Sequence, residues 1–344
     1  MKGFASDNYA GIIPEALAAI ADANVDHAVA YGDDRWTAQA RDAVRDAFGA
    51  PRAEVFLVFN GTAANVLALE ALLQPWEAVI TTAISHLNVD ECGAPEAVGI
   101  KLLTSEPHEG KLVPERAAPL VQRVGFEHAI QPRVVSIAQS TELGTIYGAS
   151  ELAELRTLCD EHDLRLHVDG ARLFAAAAAR GCSLAEAAAG ADVISLGGTK
   201  AGLMGVEAVV VLDPADAGGF AFRRKRRGQL ASKMRFAGAQ LSALLRDETW
   251  RRYASHANAM AARLHNAVRA IDGVTITQPV HANVVFAILH PTVTAQLQAR
   301  FPFYVWDETS GEVRWMCSWD TGPDEITAFA AAVADACAAT AVTG

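Results

Sequence analysis

Short apolar runs and amphipathic stretches alternate along the chain. Residues 54–59 (EVFLVF), 78–82, 133–137 (RVVSI), 165–168, 193–196 and 208–212 (AVVVL) are short and apolar, most of them rich in β-branched side chains. Such runs predict buried strands. Between them, residues 15–21, 37–48 (TAQARDAVRDAF), 62–73, 151–162 and 183–189 read as helices, and Pro14 suits the first turn of the first one. Strands alternating with helices predict a parallel or mixed sheet covered on both faces. Beyond about residue 230 the pattern changes. Two long helical stretches, 239–254 and 258–270, lead to short strands at 274–276, 283–288 and 313–316 and to a last helix at 326–342. That predicts a small α+β domain, and the expected division is 1–240 and 241–344.

Composition narrows the function classes. Of the 344 residues, 51% are hydrophobic and 20% charged, which excludes intrinsic disorder. The net charge of −11 argues against nucleic acid or an anionic membrane as partner. One local exception is Arg223-Arg224-Lys225-Arg226-Arg227, which reads as a solvated helix face or as cations reaching a neighbouring subunit. The five cysteines are odd in number and contain no C-x-x-C, so neither a disulfide framework nor a zinc site is expected, and a reducing cytoplasm is the simple reading. Residues 1–9 hold no apolar stretch, so no secretory signal is expected. The 326–342 stretch carries Asp335 and reads as an amphipathic closing helix rather than a membrane span.

Four features carry candidate chemistry. Ser195-Leu196-Gly197-Gly198-Thr199-Lys200 runs from a strand through two glycines to a lysine. A lysine there loses solvation and its pKa falls, as a Schiff-base lysine requires, although alone it is equally an ordinary surface lysine. His167-Val168-Asp169-Gly170 puts a carboxylate at a strand's carboxyl end, where it can hold a proton on a pyridine nitrogen or simply cap a helix. Asn60-Gly61-Thr62 opens a helix directly after a strand, a site for a phosphate or a plain turn. Ser85-His86 follows another strand, so its imidazole can flank a planar cofactor and move protons, or be merely structural. No G-x-G-x-x-G, Walker A, H-E-x-x-H or G-x-S-x-G occurs. Together the four imply pyridoxal 5′-phosphate as cofactor.

With these residues the chain resembles the threonine aldolases, of the aldolase and β-eliminating-lyase branch of fold-type I pyridoxal phosphate enzymes. The resemblance runs nearly end to end: SDNYAG (6–11), YGDD (31–34), NGTAAN (60–65), SHLNVDECGAPE (85–96), STELGTIY (140–147), HVDGARLF (167–174), SLGGTKAG (195–202), SKMRFAG (232–238) and VRWMCSW (313–319). It implies an aspartate aminotransferase-like large α/β domain with a mostly parallel sheet, plus a small C-terminal α+β domain. It further implies that Lys200 forms the Schiff base, Asp169 pairs with the pyridinium nitrogen, His86 stacks on the ring, and Gly61 and Thr62 bind the phosphate. Arg172 and Arg314, with Ser6, would hold the substrate carboxylate or the cofactor's phenolic oxygen. His128, five residues before Arg133, resembles a second active-site histidine and is an alternative base to His86.

Two segments depart from the family pattern near the expected site: Gly32-Asp33-Asp34-Arg35-Trp36, where many relatives have Gly-Glu-Asp and a small residue, and Gln139-Ser140-Thr141, where the family has Glu-Asn-Thr. The implied reaction is reversible retro-aldol cleavage of a β-hydroxy-α-amino acid to glycine and an aldehyde, in a homodimer or dimer of dimers. β-Elimination, transamination, racemisation or a phenylserine-specific aldolase on the same scaffold remain open. So does a metal site built from His86, His167 and Asp169.

Overall fold

The computed structural model describes residues 3–343. Seven strands form the larger sheet: β1 (Glu54–Val58), β2 (Glu77–Thr82), β3 (Lys101–Ser105), β4 (Gln131–Ala138), β5 (Arg165–Gly170), β6 (Val193–Gly197) and β7 (Glu207–Val211), in spatial order β1-β7-β6-β5-β4-β2-β3. Only β7 runs against its neighbours; the sheet is therefore mixed, as predicted. β6 and β7 are buried along their whole length, which is why their sequences show no polar alternation. Successive residues go to opposite faces. Leu57, Ile80, Val135, Val168, Ile194 and Val210 enter one core, while Val58, Val79, Val134, Val193, Val209 and Val211 enter another beneath the Gly61–Leu72 helix.

Four antiparallel strands form a second sheet: β8 (Thr275–Ile276), β9 (Val284–Ile288), β10 (Tyr304–Asp307) and β11 (Glu312–Met316), in order β10-β11-β9-β8. The closing helix, Pro323–Thr343, sends Ile326, Phe329, Val333 and Cys337 into its core at helical spacing. Phe4 joins the same core, its ring 4.5 Å from that of Phe329. Its amide donates to the Pro302 carbonyl at 2.7 Å, and its carbonyl accepts from Met316 at 2.8 Å. The chain then leads from this sheet towards the carboxyl ends of β5 and β6.

The structure differs from the sequence pattern at several places, among them the helices Leu173–Arg180 and Pro291–Gln298, which were not foreseen. β3 and β10 were not foreseen; both are edge strands whose side chains are largely exposed or half-buried, so no apolar run marks them. The helices predicted at 239–254 and 258–270 are instead Arg235–Leu245 and Thr249–Val268. The break lies at Asp247 and Glu248, both left-handed with φ near 50°, where no glycine or proline signals it. The helical face of Trp250, Ala257, Ala261, Leu264 and Val268 runs unbroken through 255–257.

Candidate functional site

Parallel packing brings the carboxyl ends of β1, β2, β4, β5 and β6 to one edge, together with the start of the antiparallel β7. At the end of β1, Asn60 caps the Gly61–Leu72 helix: its Oδ1 accepts from Ala63 at 2.8 Å and its carbonyl from Ala64 at 3.1 Å. Among the described residues the amides of Gly61 and Thr62 have no acceptor, and a Cβ on Gly61 would meet no other side chain or element within 4 Å. Free amides at the positive end of a three-turn helix form an anion cradle.

At the end of β5, Asp169 is clamped. Its Oδ2 accepts from Asn65 Nδ2 at 2.9 Å and its Oδ1 from the Ala171 amide at 2.9 Å. Asn65, one turn into the helix, also donates to Glu91 Oε1 at 2.8 Å. Glu91 in turn meets His86 Nδ1 at 2.9 Å. That hydrogen bond is the main cause holding the imidazole pKa above its usual value. The His86 amide donates to Glu142 Oε1 at 2.9 Å, and burial pushes the Glu142 carboxyl up to about 7.

Beyond β6 the chain turns tightly into Lys200. A Cβ on Gly197 would meet the Ala171 backbone at 2.6–2.9 Å, and one on Gly198 would meet the Val206 carbonyl at 2.4 Å. Both positions therefore demand glycine. Loss of solvation lowers the Lys200 pKa, and repulsion from Arg172 adds to it.

The N-terminal segment supplies the next element. Asp7, buried, takes two hydrogen bonds from Arg172, Nε to Oδ2 at 2.8 Å and Nη2 to Oδ1 at 3.0 Å. Asn283 Nδ2 adds a third contact at 3.3 Å. Breaking a buried pair of this kind costs about 3–5 kcal/mol, enough to fix residues 6–9 against β5. Ser6 Oγ accepts from the Asn8 amide at 3.1 Å. Arg314 on β11 is the contrasting case. It touches the Ala5 carbonyl at 3.3 Å and lies 4.6 Å from the Trp306 ring centroid, but its Nε has no partner. Burial, then repulsion from Arg172, brings its pKa down to about 10. It is a half-buried cation without a carboxylate.

Three sequence expectations end elsewhere. His128 lies on an exposed loop, 3.7 Å from Glu127 and against the Phe126 ring, and lines no part of the cleft. His167 is buried with both ring nitrogens engaged, Nδ1 to Ser136 Oγ at 2.8 Å and Nε2 to Ser195 Oγ at 2.9 Å. Burial drives its pKa down to about 4, and it has no nitrogen to offer a metal. The basic run is not simply a solvated face. Arg224 is buried, 5.5 Å from the Phe56 ring centroid, because its side of the Phe220–Arg226 helix faces β1. Arg227 pairs with Glu70 at 2.6 Å.

Sequence reasoning passed over Asp7, Asn65, Glu91, Glu142 and Glu207. Asp7, Asn65, Glu91 and Glu142 carried a usable signal, since each lies inside a quoted motif (SDNYAG, NGTAAN, SHLNVDECGAPE or STELGTIY); Glu207 lies in none.

The cleft encloses about 700 Å³ with its open mouth, a size suited to a small organic ligand, and Gly61, Thr62, His86, Asp169 and Lys200 line it. Among the buried polar atoms of its walls that have no partner in the described residues are Asn65 Oδ1 and Ser140 Oγ. Buried polar atoms call for a partner, and here they face ligand space. An anion cradle, a desolvated amine and a clamped carboxylate on one cleft fit the phosphate, aldehyde and ring nitrogen of pyridoxal phosphate.

Comparison with known proteins shows the family. Residues 3–291 match the beta-eliminating lyase family. The low specificity L-threonine aldolase of Pseudomonas aeruginosa is 46% identical over 94% of this chain and 94% of its own length. That of another Pseudomonas is 45% identical over 95% of this chain and 96% of its own length. The solved threonine aldolase of Leishmania major superposes with a TM-score of 0.92 at 32% identity, covering 97% of this chain and 98% of that one.

Proposed function

This chain belongs to the beta-eliminating lyase family, and from that premise we propose that it is a pyridoxal 5′-phosphate-dependent aldehyde-lyase. It cleaves L-threonine, L-allo-threonine and related β-hydroxy-α-amino acids to glycine and an aldehyde, reversibly. The observation that carries the reading is the convergence of Lys200, Asp169 and the free amides of Gly61 and Thr62 on one cleft.

When bound, the cofactor supplies an electron sink for the pair left on Cα as the Cα–Cβ bond breaks. The residues do the rest. Lys200 would hold the cofactor covalently, and its lowered pKa keeps more of the amine in the nucleophilic form. Gly61 and Thr62 would hold the phosphate, and His86 would flank the ring. Asp169, immobilised by Asn65 and Ala171, would keep a proton on the ring nitrogen. Arg314, with no internal carboxylate, would take the substrate carboxylate with Ser6 nearby. Arg172, already neutralised by Asp7, would face the phenolic oxygen. We propose the same two domains read from the sequence, with the cleft belonging mainly to the larger.

His86 would take the β-hydroxyl proton, directly or through a water. A base must start neutral, and the Glu91 hydrogen bond raises its pKa. Turnover should therefore rise with pH through a limb placed above the ordinary histidine value. His86→Asn should keep the cofactor's visible band, lose that limb and lower kcat by about 10²–10⁴-fold. An unchanged rate would move the base elsewhere. His128, exposed on its loop, would then act only across a subunit contact.

Assembly as a homodimer or dimer of dimers, in the cytoplasm, completes the reading. Phe222 (82% exposed), Val29 (66%) and Tyr31 (49%) are apolar surface that a neighbouring copy would cover. A purified protein that sediments as a monomer would contradict this. Among the described residues no helix is long and apolar enough to cross a membrane.

The function is tested by incubating the purified protein with threonine, allo-threonine and phenylserine and assaying the products. Glycine plus the matching aldehyde is expected. Ammonia plus a keto acid would show β-elimination instead, and a keto acid without free ammonia would show transamination.

A further inference from the structure

Glu207 is the one charged side chain in the strand EAVVV, and it is 6% exposed. It pairs in register with Gly197 on β6 and Val58 on β1, between the strand that delivers the lysine turn and the strand that leads to the anion cradle. Its Oε2 accepts from the Gly198 amide at 2.9 Å and its Oε1 from the Thr199 amide at 3.3 Å. Those are the two amides immediately before Lys200. The Gly198 amide also lies 3.1 Å from the Val206 carbonyl, so the turn already has a backbone hydrogen bond. A valine at this position would pack into the strand without the cost of burying an acid. Sheet packing therefore does not explain the residue.

We propose that Glu207 is a positioning residue: it aims the Lys200 amine into the cleft and stabilises positive charge on that nitrogen when the cofactor is attached. The other charged groups facing Lys200 are Arg172, Asp7, Asp169 and His86. Asp7 is committed to Arg172, and Asp169 to Asn65, Ala171 and the ring nitrogen. Glu207 is the remaining acid beside the lysine turn. Burial pushes its carboxyl up to about 7, while hydrogen bonding to Thr199 and the positive charge of Lys200 oppose that rise. The inference rests on Lys200 carrying the cofactor.

The test is a pH titration of the visible band of the holoenzyme. In Glu207→Gln, similar in shape but uncharged, the midpoint of the band's transition should fall by about one pH unit. In Glu207→Asp, which keeps the charge on a shorter stem, the midpoint should stay near that of the parent while the Kd for pyridoxal phosphate rises about tenfold, the loss of roughly one hydrogen bond. An unmoved midpoint in Glu207→Gln overturns the inference. So does a Glu207→Asp protein that matches the parent in both readings, which decides the matter should Glu207→Gln not fold. A parent protein with no visible band would overturn the Lys200 assignment itself, a different failure.

Discussion

Lys200→Ala is expected to purify without colour and to lose turnover by at least about 10⁴-fold. The amine is the group in the cleft suited to form an imine with an aldehyde, and the chain is built to present it. Gly197 and Gly198 have no room for a side chain, Glu207 accepts from the amides of the turn, and desolvation lowers the amine's pKa. Alanine removes the nitrogen without disturbing any of those contacts, so the fold should survive. Circular dichroism and thermal melting would confirm that. Cofactor soaked into the variant would be held only through the phosphate cradle and Asp169. A variant that keeps the band, or keeps more than about one per cent of turnover, would refute the assignment.

Asp169→Asn is expected to keep the band but lower kcat/KM by about 10²–10³-fold, the scale on which a single electrostatic contact to developing charge acts. The amide fills nearly the same volume, and its one oxygen can still accept from Ala171; its NH2 would meet the Asn65 donor and needs that side chain to present its oxygen instead. What it lacks is the negative charge that keeps a proton on the ring nitrogen, and with it the pull on the electron pair at Cα. One hydrogen bond must rearrange, so a loss beyond the roughly tenfold that one such contact accounts for would report the missing charge. Activity within about fivefold of the parent would mean that the ring nitrogen is not protonated by this residue.

Reading the chain for period and strand ends recovered most of the central sheet, because β5, β6 and β7 are buried runs that hydropathy alone betrays. It missed β3 and β10, whose edge positions demand no apolar pattern. It located Lys200, Asp169, Gly61 and His86, since each directly follows or ends such a strand. It could not have ranked Arg314 against Arg172. Both are arginines in family-like motifs, and only the pairing of Arg172 with Asp7, 165 positions away, shows which one is still without a carboxylate.

The amino-acid order by itself determined the buried strands, the turn glycines and the residues at the strand ends, because those follow from local sterics and from the period of burial. The tertiary structure alone decided which acids matter. Glu91 and Glu142 lie in family-like motifs and Glu207 in a plain strand, but the chemistry of all three comes from loss of water and from partners that only folding brings near.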